Sequence, residues 1–73
     1  MIARQRFVNL LRKLDYSFKD RTKRVEIYRK NGGTHRVLLN THKFFAEPYV
    51  RSVLHQCGVK PDQIEKYVKE LNN

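Results

Sequence analysis

Hydrophobic residues recur through the first part of the chain at spacings of three and four: Ile2, Ala3, Phe7, Leu10, Leu11 and Leu14. That period places them on one face of a helix, with Arg4, Arg6, Arg12 and Lys13 covering much of the remainder. Asp15 marks the expected stop. From Tyr16 the period shortens. Tyr16-Ser17-Phe18-Lys19 alternates briefly, as a short strand does, and Asp20-Arg21-Thr22 reads as a polar connection. Arg24-Val25-Glu26-Ile27-Tyr28-Arg29 alternates clearly, which puts Val25 and Ile27 on the inward face and Arg24, Glu26 and Tyr28 on the other. Lys30-Asn31-Gly32-Gly33 has the composition of a hairpin turn, because Asn and Gly accept positive φ. Thr34 to Asn40 is the expected return strand, with Val37 and Leu39 inward and Leu38 on the second face beside Tyr28.

Helical spacing then resumes. Pro48 suits a first helical turn, and Tyr49, Val50, Val53, Leu54 and Cys57 follow on one face. Gly58 is a typical residue just past a helix end. Pro61-Asp62 starts a second helix whose apolar stripe is Ile64, Tyr67, Val68 and Leu71. The predicted order is α-β-β-β-α-α, an α+β fold in which a three-stranded antiparallel sheet packs against helices. With 73 residues the chain is read as one domain, residues 1–73, with a small core.

Charge changes the picture more than composition does. The net charge is +9, and residues 1–45 hold 12 Lys/Arg against 3 Asp/Glu, whereas residues 46–73 hold 4 against 4. All of the excess therefore belongs to the first helix and the sheet. A polyanion is the partner such a surface implies, because neutralised phosphates release counterions and drive association. The candidate contacts are Arg4, Arg6, Arg12, Lys13, Lys19, Arg21, Lys23, Arg24, Arg29, Lys30, Arg36 and Lys43, with Tyr28 as a surface on which a base stacks or, alternatively, as a cross-strand partner of Leu38. An acidic protein partner is the competing reading. No apolar run approaches the ~20 residues that cross a bilayer, and the arginines within the N-terminal apolar pattern argue for a helix and against a signal peptide. A membrane partner is not expected, and the expected compartment is the cytoplasm.

Chemistry-bearing residues are sparse. His35, His42 and His55 form no HxxxH or HExxH pair, and a single cysteine gives neither a disulfide nor a zinc spacing, so no metal and no cofactor is expected. Cys57 is read as a packing residue. Gly33-Thr34-His35-Arg36 is the best catalytic candidate: a histidine next to an arginine on a basic surface suffices for a general base in RNA cleavage, with His35 as the catalytic residue and His42 as the alternative. Two adjacent phenylalanines, Phe44 and Phe45, are expected to divide, one packing inward and one available for a protein contact.

Several segments resemble one family in order and spacing. Lys13-Leu14-Asp15-Tyr16-Ser17-Phe18, Ile27-Tyr28-Arg29, Arg36-Val37-Leu38-Leu39, Thr41-His42-Lys43 and Val50-Arg51-Ser52-Val53-Leu54-His55-Gln56-Cys57-Gly58-Val59 are similar to the HicA toxins, over about three-quarters of the chain. The resemblance implies a fold like that of double-stranded-RNA-binding domains, RNA as the nucleic acid, and an antitoxin-like protein partner. It also implies a Gly-Ser/Thr-His segment just before Ile27-Tyr28, whose histidine is the family's catalytic residue. Those positions hold Lys23, Arg24 and Val25, and a valine neither accepts nor donates a proton. The expectation is thus a basic, HicA-like RNA-binding domain without catalysis. An active metal-independent ribonuclease toxin using His35 or His42, and a module for an acidic protein, are the alternatives.

Overall fold

The structure, a computed structural model, describes residues 1–73. It contains β1 (Ile2–Ala3), α1 (Arg4–Lys13), β2 (Tyr16–Arg21), β3 (Val25–Lys30), β4 (Arg36–Asn40), β5 (Phe44–Phe45), α2 (Glu47–Gln56) and α3 (Pro61–Leu71). The fold is α+β: β2, β3 and β4 form an antiparallel sheet in that order, packed with three helices in the expected succession α-β-β-β-α-α. The arrangement is consistent with a small double-stranded-RNA-binding-domain-like fold. No helix is long and apolar enough to cross a membrane.

The first helix is shorter than its apolar period suggests. Phe7, Val8, Leu10 and Leu11 are its buried residues, but Ile2 and Ala3 are extended and pair with Phe45 and Phe44. The Arg4 N–H donates to the Lys43 carbonyl at 2.8 Å, so this ribbon satisfies one of the helix's orphan donors. Asp15 ends the helix as expected, with φ 73°. An aspartate tolerates this left-handed conformation through local hydrogen bonds. Here Asn31 donates from its backbone N–H to the Asp15 carbonyl (2.8 Å) and from Nδ2 to Oδ1 (2.9 Å). The helix end is thereby fixed to the hairpin turn.

The sheet differs from expectation in two ways. Asp20 and Arg21 continue β2 after a bulge between Phe18 and Asp20. More consequentially, β3 presents the opposite face. Tyr28 lies opposite Val37 and Glu26 opposite Leu39, and opposed residues point to the same side. Since Val37 and Leu39 face the helices, so do Tyr28 and Glu26. Tyr28 is 4% exposed and packs in the core. Val25, Ile27 and Leu38 turn to the face that no helix covers. Thr34 and His35 belong to the turn, and β4 begins at Arg36.

The core lies between the sheet and the helices. Phe7, Leu11, Tyr16, Leu39, Phe45, Val50 and Leu54 are sealed within it, each large apolar side chain stabilising by about 2 kcal/mol relative to exposure. Phe45 packs edge-on to Phe7 and stacks on Tyr49, whereas Phe44 remains half exposed. Past α2, Gly58 at φ 81° lets its N–H reach the His55 carbonyl (3.0 Å) and the Val59 N–H reach that of Leu54 (3.1 Å), a Schellman closure. Ile64 and Val68 of α3 complete the core.

Candidate nucleic-acid interface

The covered face of the sheet holds a charged hub. Glu26 is 7% exposed and accepts from three side chains: Arg4, the Arg21 Nη2 at 2.6 Å and the Tyr28 hydroxyl at 3.0 Å. Burial alone would raise its pKa, but the hydrogen bonds from Arg4, Arg21 and Tyr28 outweigh it and bring it down to about 2. Arg4 also donates to the Asn40 carbonyl and, at 3.0 Å, to that of His42, and lies over the Phe45 ring. It is a structural cation, which corrects its expected role as a phosphate contact. Lys30 is tethered, with its Nζ donating to the Leu14 carbonyl at 3.0 Å and lying 5.3 Å from the Tyr16 ring centre. Tyr28 is not a stacking surface, because its ring is buried and burial, with its bond to Glu26, raises the pKa of its hydroxyl.

The open face is different. Arg29 lies directly opposite Arg36, with Ser17 on its other side; the next row is Asp20, Ile27 and Leu38. The Lys30 N–H bonds to the His35 carbonyl, so Arg29 and Arg36 form a non-hydrogen-bonded pair, the kind whose side chains approach more closely. Both are exposed, and neither takes part in an ion pair. Lys19, Lys23, Arg24 and Lys43 are also exposed and free of carboxylate partners. Lys23 and Arg24 project from a tight turn in which the Thr22 hydroxyl accepts from the Arg24 and Val25 N–H groups. Arg12 and Lys13 sit in the last turn of α1, where they complement the helix dipole from the helical layer. Arg6 donates to the Leu71 and Asn73 carbonyls.

Two basic depressions result. One, of about 240 Å³, is bounded by Ser17, Phe18, Lys19, Arg29, Lys30, Asn31 and Gly32 at the hairpin-turn end of the sheet. The other, of about 380 Å³, is bounded by Arg21, Thr22, Lys23 and Thr41 at the opposite end.

The histidines lie apart. His35 Nε2 is 2.6 Å from the Gln56 carbonyl, to which it donates, and its ring meets that of Tyr16 edge-on. It fastens the start of β4 to the end of α2. His42 and His55 are exposed, and their rings make no hydrogen bond. No three His, Cys, Asp or Glu side chains gather as metal ligands would. Burial raises the pKa of the half-buried Cys57, so its sulfur stays a thiol.

Comparison of the chain with known protein families, curated proteins and solved structures finds no match. The geometry adds three groups that the sequence pattern did not single out: Glu26, Thr22 and Thr41. The available signal for Glu26 was a carboxylate inside an alternating strand surrounded by arginines. For the two threonines there was none.

Proposed function

We propose that this protein is a small, non-catalytic RNA-binding module of the HicA-like kind, which holds its target through phosphates on the sheet side. One observation carries the reading: Arg29 and Arg36 are directly opposed on an uncovered sheet face, with no carboxylate between them. Like charges so placed destabilise a sheet, and a bound polyanion turns that repulsion into attraction. Lys19, Lys23, Arg24 and Lys43 extend the same uncompensated charge. The resemblance to HicA toxins favours RNA over DNA and an antitoxin-like partner. The absence of catalysis is supported by Val25 at the family's histidine position and by the engagement of His35 with Gln56.

Affinity for a short RNA measured against salt tests the proposal. The expected dependence is steep, about 0.7 in log–log slope per phosphate contact for a single strand. An affinity indifferent to salt would sink the reading. Incubation with RNA tests the second half: the strands stay intact, and cleavage abolished by His35→Ala would replace the module with a ribonuclease.

A further inference from the structure

The depression at the end of the sheet opposite the hairpin turn has an unusual lining. Arg21, Thr22, Lys23 and Thr41 bound it, with no hydrophobic residue and no carboxylate. Arg21 is not a freely moving surface cation. Its Nη2 is held by Glu26 Oε2 at 2.6 Å, and that carboxylate is itself buried and fixed by Arg4 and Tyr28. A long side chain loses rotamer freedom when it closes on a ligand. Here part of that loss is already taken in folding, and the guanidinium retains further donors for a ligand. Glu26 is fully engaged by Arg4, Arg21 and Tyr28, so the site presents two cations and two hydroxyl-bearing threonines to whatever enters.

We propose that Arg21, Lys23, Thr22 and Thr41 form a pocket for a phosphate monoester, the terminal phosphate of an RNA strand. This rests on the RNA-binding reading and deepens it. Charge selects the monoester over an internal linkage. A phosphate monoester carries about −1.5 to −2 at neutral pH, which two cations match, whereas an internal phosphodiester carries a single charge that the exposed arginines elsewhere on the sheet serve equally well. Chemistry supports the same choice. A monoester has three terminal acceptor oxygens, and the guanidinium, the ammonium and the threonine hydroxyls are all donors. The Thr22 hydroxyl accepts from two backbone N–H groups and gives its proton only to a long bond of 3.4 Å with the Val25 carbonyl, which a phosphate oxygen at normal distance would replace.

The experiment uses the full chain in two titrations. Inorganic phosphate is followed by amide NMR. RNA of one sequence, carrying a 5′-phosphate, a 3′-phosphate or hydroxyls at both ends, is followed by fluorescence anisotropy. Phosphate is expected to shift the amides of residues 21–23 and 41 saturably, and one of the two phosphorylated strands to bind about tenfold more tightly than the hydroxyl-ended strand, the worth of one charge-assisted contact. The arm that gains identifies which end is held. The variant Thr41→Val alters one exposed side chain of the lining and no member of the basic set; it keeps the parent's amide spectrum elsewhere, binds hydroxyl-ended RNA as the parent does and reduces the end preference. Equal affinity for all three strands, or phosphate shifts spread evenly over Lys19, Arg29 and Arg36, overturns the pocket while leaving the RNA-binding reading intact. Saturable phosphate binding at residues 21–23 with no affinity for any RNA does the reverse.

Discussion

Two arginines show how differently the halves of this molecule treat charge. Arg51, in the helical half, lies between two carboxylates: its Nη2 is 3.3 Å from Glu47 and its Nη1 3.1 Å from Glu65. Arg29, in the sheet half, faces Arg36 across the strand pair. The helical half is electrically closed, and α2 and α3 are joined in part by the Arg51–Glu65 ion pair and by the Asn72 amide on Glu47. The sheet half is closed only at one point, Glu26, on the face that the helices cover. Net charge alone does not distinguish a cation that the fold has neutralised from one left uncompensated; the carboxylates within its reach do. Arg4 and Arg29 are the same residue in the same basic half, and the sheet separates them.

The contrast breaks first at Glu26. Glu26→Ala leaves the largely buried Arg4 guanidinium without its counter-charge and the Tyr28 hydroxyl without its acceptor. Unfolding in urea should show a loss of about 3 kcal/mol; a loss within error of zero would mean that the hub does not hold the covered face. Acid acts on the same group. Its folded pKa of about 2 lies below the ordinary value of 4.5, so its contribution is complete above pH 4.5 and is lost as the pH falls through about 2. The melting temperature should decline over that window, and Glu26→Gln should flatten the decline.

Smaller effects sharpen the comparison on the open face. The double variant Arg29→Ala, Arg36→Ala should weaken RNA binding by about tenfold and lower the salt slope by about 1 to 2. The same protein should be as stable as the parent or slightly more so, because a like-charge pair has been removed. A variant that loses stability in proportion to affinity would return these arginines to the fold. Smallest is His35→Ala. Loss of an exposed hydrogen bond to Gln56 should reduce stability by about 0.5 kcal/mol, with RNA left uncut by parent and variant alike.

Most of the architecture was legible in the sequence, because most of it is decided locally. Pro48, Gly58 and Pro61 punctuate the helices where the structure does, and Asp15 stops the first one. The face of β3 was not legible: its alternation points to Val25 and Ile27 as the core set, whereas the structure buries Glu26 and Tyr28. The choice depends on the connection 31–35: a one-residue difference in register exchanges the two faces. It depends too on Arg4, which arrives from far along the chain to neutralise Glu26 and makes burial of a carboxylate tolerable. The candidate site was legible as a set of basic residues but not as a surface. Lys30 is tethered within it by a carbonyl at Leu14, and the pocket at Arg21 needs Thr41, which only the closed sheet brings near. The helix-like spacing of Ile2 and Ala3 misled for a related reason, because their partners Phe45 and Phe44 lie beyond the sheet.

That two-residue ribbon bears on the order in which the chain assembles. The sheet's two hairpins close over short connections, but pairing Ile2 with Phe45 encloses nearly everything between residues 2 and 45. Loop-closure entropy places such a contact late. Substitutions at Ala3 or Phe44 should therefore speed unfolding more than they slow folding, and the ribbon acts as a latch that lengthens the life of the native state without guiding the chain to it.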